Sequence, residues 1–480
     1  MGVAYNFVMV DREQLLLMPP SVSDWLPEGH FAGFVIDVVD ELDLSSFLAA
    51  HRADGRGGAA YHPAMMVALL VYAYSIGERS SRQIERRCVE DVAFRVVAAN
   101  QQPDHATIAR FRASHADAIA GLFGQVLAVC ARAGVLRPGL LAVDGTKLAA
   151  NASRDANRTA EQLAAAILAE AAAIDATEDP AAGGDGDGVP VELQGRGPRR
   201  QARLKELLDE LEADAADKSF ESHIARRAEI EAQTGRRLRG RRPKADSAAH
   251  RSRRLANLTD PDSRLLKVKD GYVQGFNAQA IATVDQWVVA AEATNRVNDT
   301  DAFVPMIAAA KANLCRAGVK RRVRTVVADA GYWTVDNVNA RGVEAIIAPG
   351  RRRQLKEVSE QDRQRSQILG RVEAGEINID QAAVELDVTR GRVYQLLQHR
   401  RRGDAETLTT TMITKLDTPR GQRIYKKRAA TIEPVFAQIK HNRGIRTLSR
   451  RGLAAADSEW KLITATHNLL KLWRITPTTA

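Results

Sequence analysis

Cysteine, aromatic side chains and long apolar runs are all scarce in this sequence, and each scarcity removes a class of protein. The three cysteines, Cys88, Cys130 and Cys315, are isolated, with neither disulfide nor zinc-ligand spacing. A disulfide scaffold and a structural zinc finger are thereby excluded. The longest apolar run, Ala64–Tyr74, is too short to span a bilayer. The first residues lack the basic start, apolar stretch and small-residue cleavage site of a secretory signal, so a cytoplasmic chain without membrane contact is expected. Aromatics make up 5% and hydrophobic residues 45%, so cores are built mainly from Ala, Val and Leu. Acid is also in deficit: the formal net charge is +10 and the isoelectric point about 9.6. That balance favours a polyanionic partner, and clustered arginines put nucleic acid ahead of a membrane surface. The 480 residues leave room for about three domains.

What is present begins with two short apolar runs that each reach an acid. LLAVDGTK (Leu140–Lys147) carries Asp144 followed by Gly145, and VRTVVADAGYW (Val323–Trp333) carries Asp329 followed by Ala330 and Gly331. Each reads as a buried strand delivering an aspartate at its C-terminal end, where open α/β sheets place their sites. Either aspartate alone also reads as a turn or cap residue. A third stretch, Tyr425–Lys440, places Ile432, Val435, Phe436 and Ile439 at i, i+3, i+4 and i+7, one apolar stripe of an amphipathic helix. Glu433 and Lys440 lie two turns apart and share a polar face, with Lys426, Lys427 and Arg428 upstream. Taken alone, the stretch also reads as a surface helix with scattered charges. Two strand-end aspartates and a helical glutamate make three hard oxygen ligands, suited to magnesium or manganese and not to zinc.

The series Tyr425, Arg428, Glu433, Lys440 resembles the Tyr-Arg-Glu-Lys signature of bacterial insertion-sequence transposases of the DDE, RNase H-like class. Glu433 and Lys440 match the signature's spacing, whereas four residues separate Arg428 from Glu433 where the signature has three. The segment with expected strands Tyr272–Thr283 and Gln286–Ala293, joined by a turn at Val284–Asp285, is also similar to those enzymes. The resemblance implies an α/β fold, an RNase H-like mixed-sheet core with an N-terminal helical domain and helical insertions. It implies two divalent cations, magnesium or manganese, bridged by Asp144, with Asp329 and Glu433 each completing one shell. The function implied is DNA transposition, cutting the element's terminal inverted repeats and joining the 3′-ends to target DNA. A homodimer in the active complex and a nucleoid-associated bacterial location are expected with it. Tyr425, Arg428, Lys440 and Lys147 are the expected contacts to flanking DNA, although Lys147 reads equally as a solvated lysine. Tyr332 and Trp333 are candidates to stack on an unpaired base, with core packing the competing role for Trp333. Two other classes stay open: a metal-dependent nuclease without strand transfer, and a catalytically silent DNA-binding regulator.

The chain divides in sequence into an N-terminal helical, DNA-end-binding domain (1–135), a catalytic core in three pieces (136–150, 258–350 and 415–475), and two insertions (151–257 and 351–414). In the first domain Pro63 fits a first helical turn, Ser80 and Asp104 act as caps, Ile108 and Phe111 are buried, and Arg110 and Arg112 are left free. The first insertion holds an alanine-rich helix from Thr159, a Gly/Pro/Asp-rich linker at Glu178–Pro198, a charged helix at Arg199–Ala232 and a basic run at Arg236–Lys244. The second holds Ile379–Arg402, which reads as a helix-turn-helix with Thr389 capping a second helix. Arg390, Arg392 and Gln395 then face outward towards a DNA groove; a purely structural hairpin is the alternative. The extra residue turns Arg428 about 140° away from Glu433 on a regular helix. A break near Pro434, as a wide turn or a new helix start, is expected to bring it back.

Overall fold

The computed structural model describes residues 21–49, 60–159, 161–166, 205, 255–269, 271–350, 364–365, 367–402 and 405–476. The linker at 178–198, the basic run at 236–244 and, apart from Lys205, the charged stretch at 199–232 lie outside the described residues. So does the alanine-rich segment beyond residue 166. The chain forms two compact units, one of Met1–Ser114 with Leu470–Ala480, the other of His115–Leu469.

The first unit contains α1 (Phe31–Asp40), α2 (Ser45–Leu48), α3 (Pro63–Ser75), α4 (Ser81–Glu90), α5 (Val92–Val97) and α6 (His105–Ser114). α3 has no charged residue and is buried all round from Met66 to Ser75, so the others wrap it. Pro63 occupies its first turn, and Ser80 caps α4 by accepting from the Gln83 N–H. Arg112, expected to be free, is instead buried. It donates to the Tyr74 hydroxyl at 3.1 Å, the Arg79 carbonyl at 2.8 Å and the Ser81 hydroxyl. Its neighbour Arg110 stays exposed, as do Arg82 and Arg86 on α4.

The second unit is organised on a six-stranded mixed sheet. β1 (Leu140–Ala149) runs antiparallel to β5 (Gly271–Thr283), which in turn pairs antiparallel with β6 (Val288–Thr294). On its other side β1 pairs in parallel with β7 (Thr325–Ala328), and β7 with β8 (Glu344–Ile347). The order β6-β5-β1-β7-β8, three antiparallel strands followed by two parallel ones, is the mixed sheet expected of an RNase H-like core. β4 (Arg264–Val268) shares the outer edge of β5 with β6 and has no counterpart in the sequence reading. A small two-stranded sheet, β2 (Asn157–Thr159) with β3 (Leu255–Asn257), stands beside it. Helix α7 (Ala116–Arg132), grouped by sequence with the N-terminal helices, belongs to this unit. Its buried Ile119, Leu122, Phe123 and Val126 accompany packing against α8 (Phe303–Arg316), which also lies on β5 and β6. Among the described residues no single helix is long and apolar enough to cross a membrane.

The short α9 (Val335–Val338) precedes β8, and after β8 come α10 (Ile379–Glu385), α11 (Arg390–Arg402), α12 (Ala405–Asp417), α13 (Pro419–Ala437) and α14 (Leu453–Ile475). α13 carries Glu433 and lies on β1, β5 and β7 through the expected stripe: Ile432, Val435 and Ile439 are buried. The helix continues unbroken through Pro434, and the one wide, π-type turn falls later, at Gln438–Asn442. The expected break near Pro434 is therefore corrected. A proline at that position leaves the Ala430 carbonyl without its helical partner. The side chain of Gln286, held at φ +63° in the β5–β6 turn, donates to that carbonyl at 3.2 Å.

This substitute bond is open to a double-mutant cycle. Gln286→Ala should lower stability by about 0.5–1 kcal/mol, the usual worth of one hydrogen bond. In a Pro434→Ala background, where residue 434 regains its N–H, the same change should cost measurably less. Urea melts of the four proteins would show it; equal costs in both backgrounds would remove the proposed role of Gln286.

Candidate active site

The parallel register of β1 and β7 explains why their two aspartates meet. Leu140 pairs with Thr325 and Ala142 with Val327, and the same offset continued two residues brings Asp144 level with Asp329. β1 does not end at Asp144, as the sequence suggested, but runs five residues further against β5. Its pairing with β7 ends two residues before Asp144, at Ala142–Val327. Asp329 sits one residue past β7, capping a single 3-10 turn at Ala330–Tyr332 by accepting from the Gly331 N–H at 2.9 Å. Of the two roles considered for Asp329, the structure shows the cap, and its negative charge acts on Asp144 beside it.

Asp144 accepts from the Gly145 N–H at 2.8 Å through one oxygen and from Arg428 Nη1 at 3.0 Å through the other. Its side chain is 19% exposed. Burial, with Asp329 and Asp299 adding negative charge, pushes its pKa up to about 6 against the lowering effect of Arg428 and the Gly145 N–H. The other guanidinium nitrogen of Arg428 stands 3.5 Å from Glu433 Oε1. Arg428 thus reaches Glu433 without any break in the helix, because its long side chain leans across the four intervening residues to meet both acids. Tyr425, half-buried, faces the same group; burial raises its hydroxyl pKa, while Arg428 lowers it and Asp329 and Asp144 raise it.

The two lysines flank this centre. Lys440, in the wide turn, donates to the Lys147 carbonyl at 2.8 Å, and its pKa is lowered by burial and by the nearby charges of Arg446 and Lys147. Lys147 is not a solvated lysine: its Nζ lies 3.3 Å from Asp299 Oδ1. Tyr332 is fully buried and donates to the Gln279 side-chain carbonyl, so it cannot stack on a base. Trp333 is only part-buried.

Sequence reasoning missed Asp299. It follows β6 and accepts from Asn277 Nδ2 at 2.6 Å and Gln279 Nε2 at 2.7 Å. Asn277 and Gln279 were the available signal, two alternate polar residues within the buried stretch 275–282 of β5. Asp299 itself lies in an irregular segment with no periodicity to mark it. Gly145 makes the arrangement possible: a Cβ there would stand 2.4 Å from Gln279 Nε2 and 2.8 Å from both Asn277 Oδ1 and Asp299 Oδ1.

The acids only partly follow the expected metal set. Among the described residues no three His, Cys, Asp or Glu side chains stand close enough to form a metal-holding group. Glu433, whose side chain is 60% exposed, meets Asp144 through Arg428 and not directly. The donor chemistry nevertheless fits a hard divalent cation. Asp144, Asp329 and Asp299 supply anionic oxygens whose mutual repulsion a cation would relieve. Asn277 Oδ1 adds a buried oxygen without a hydrogen-bond partner among the described residues.

Two family matches bear on this site. Residues 20–114 match a transposase domain (DUF772), and residues 389–473, which include Tyr425, Arg428, Glu433 and Lys440, match a transposase DDE domain. No curated protein and no solved structure is significantly similar to the chain.

The raised pKa of Asp144 makes a prediction about stability. A carboxyl that binds its proton more tightly when folded stabilises the fold at low pH and loses that contribution as pH rises from about 4 through about 6. Asp144→Asn removes the ionisation, so at pH 7 it should raise stability by about 1–3 kcal/mol. Below pH 4 the gain should vanish. Thermal melts from pH 3.5 to 8 in the presence of a chelator test this; a destabilised variant at pH 7 would contradict it.

Proposed function

We propose that this chain, an insertion-sequence DDE transposase by its two family domains, cuts DNA at the ends of its element and joins the 3′-ends to a target by in-line phosphoryl transfer. The observation that carries the reading is the charge of Asp329, just past β7, and of Asp299, in the segment after β6, acting on Asp144 of β1, with Arg428 bridging Asp144 to the Glu433 of a helix laid over the sheet. Asp144 and Asp329 would hold the divalent cations, magnesium or manganese, with Glu433 joining from its exposed position. Bound there, the cations supply activation of a water or a 3′-hydroxyl and stabilisation of the leaving oxygen.

The remaining roles belong to side chains. Arg428 presents a planar fork of donors suited to a phosphate as well as to carboxylates, so an arriving DNA phosphate competes for it and frees Glu433. Lys147 and Lys440 hold phosphates flanking the cut, and the half-buried Tyr425 orients Arg428. Asp299 fixes Lys147 and, through Gln279, the Tyr332 turn that carries Asp329. The exposed Arg82, Arg86 and Arg110 of the first unit make it the element-end binder. Transfer of two ends calls for a homodimer in the active complex.

Purified protein with duplexes taken from the DNA flanking its gene tests the reading. Asp144→Asn, Asp329→Asn and Glu433→Gln should each reduce cleavage on the order of 10³-fold or more, the equivalent of several kcal/mol of lost transition-state stabilisation. Duplex binding should change little. Cleavage that persists in any one variant removes that residue from the set. Cleaved ends that never join a target plasmid would make the protein a nuclease.

A further inference from the structure

The segment ahead of α12 has a core of its own. A helix over 367–373, α10 and α11 pack around Ile368, Leu369, Ala382, Val393, Leu396 and Leu397, all contributed from within 368–397. This is more than a hairpin, because the third helix closes the apolar side that two helices would leave open. Its local chemistry agrees with its shape. Asn378 and Gln381 form a reciprocal capping box at the start of α10, with bonds of 2.8 and 2.9 Å. The tight turn before α11 is made by Asp387 at φ +51°, a conformation aspartate tolerates in place of glycine. Thr389 then accepts from the Arg392 N–H to open α11.

Charge is sorted between the helices. Asp380 and Glu385 lie on α10, and Arg371 of the first helix is taken up by Glu385 at 2.9 Å and Glu376 at 3.8 Å. α11, RGRVYQLLQHRRR, contains no acid. Its exposed face presents Arg390, Arg392, Tyr394 and Gln395. The internal partners there are weak: Arg392 donates to Gln395 at 3.3 Å, and Arg390 faces Asp380 at 3.4 Å with both side chains largely solvated. A helix of 13 residues is about 20 Å long and 10–12 Å wide, which a major groove about 12 Å wide admits.

We propose that this three-helix insertion is a second duplex-DNA-reading unit, separate from the N-terminal one, with α11 entering the major groove. Arg392 and Gln395 reach base edges, where an arginine fork suits guanine and a glutamine amide suits adenine. Arg390 holds a phosphate beside them. The inference rests on the DNA-processing reading above but not on its chemistry, since no acid of the active site belongs to this unit.

The test uses the full chain and fluorescence anisotropy with 30-base-pair duplexes from the gene's flanks, an unrelated duplex of equal length and the corresponding single strands. Arg390→Ala with Arg392→Ala should weaken binding to a flank duplex about 10–100-fold and reduce the slope of log affinity against log salt by about 1 to 2. Both arginines are exposed, so circular dichroism should be unchanged. Gln395→Ala should shrink the preference for flank over unrelated duplex about tenfold. Unchanged affinity and slope in the double variant, an unchanged preference in Gln395→Ala, or a stronger response with single strands than with duplexes would each overturn the proposal. The two readings fail separately. Normal cutting and joining with no binding loss in the double variant sinks only the insertion's role, and duplex binding that depends on Arg390 and Arg392 in a chain that never cuts sinks only the transposition chemistry.

Discussion

The Arg428 guanidinium between Asp144 and Glu433 ties together parts of the chain 284 residues apart, and the rest of the site is arranged about it. Asp144 comes from the central strand of the sheet, Glu433 from a helix that arrives after both insertions. Without a shared cation, burial and like charge would drive the acids apart or leave them protonated. The bridge adds little net stability, because desolvation offsets the attraction at its Asp144 end and solvent screens its exposed Glu433 end. Its value lies in register: it fixes which turn of α13 faces the end of the β1–β7 pairing. The geometry is therefore as much a constraint on the helix as a feature of the chemistry.

Two further devices maintain that constraint. The Ala430 carbonyl, deprived of its partner by Pro434, accepts instead from Gln286 of the β5–β6 turn, and the helix runs unbroken through Pro434. The wide turn at Gln438–Asn442 comes after Glu433 and delivers Lys440 to the Lys147 carbonyl on β1. On the sheet side, Gly145 leaves the space into which Asp299, Asn277 and Gln279 converge. Asp299 thereby adds its negative charge to that of Asp329 near Asp144.

Where the sequence carried a strong period, it located the elements well. Of the i, i+3, i+4, i+7 stripe, Ile432, Val435 and Ile439 are buried and Phe436 is part-buried, and the apolar runs at Leu140 and Val323 are adjacent strands of one sheet. The helix-turn-helix pattern from Ile379 to Arg402 also appears as two helices about a tight turn, with Asp387 filling the glycine's role. Period failed where one residue had to decide. Arg112 lies at i+4 from Ile108, on the buried face of its helix; its charge suggested a free residue, but Tyr74, Arg79 and Ser81 offer it acceptors on another part of the chain.

The sequence by itself pointed to β1, β5, β6 and β7, to the amphipathic helix and to Asp144, Asp329 and Glu433 as candidate acids, because alternation, helical period and residue type are properties of neighbours along the chain. Tertiary structure alone decided that Asp299 joins the first two acids, that Arg428 stands between Asp144 and Glu433, and that Gln286 replaces the bond Pro434 cannot make. Those are contacts between residues far apart in sequence. They depend on strand register and on the direction of long side chains, and no local pattern encodes either.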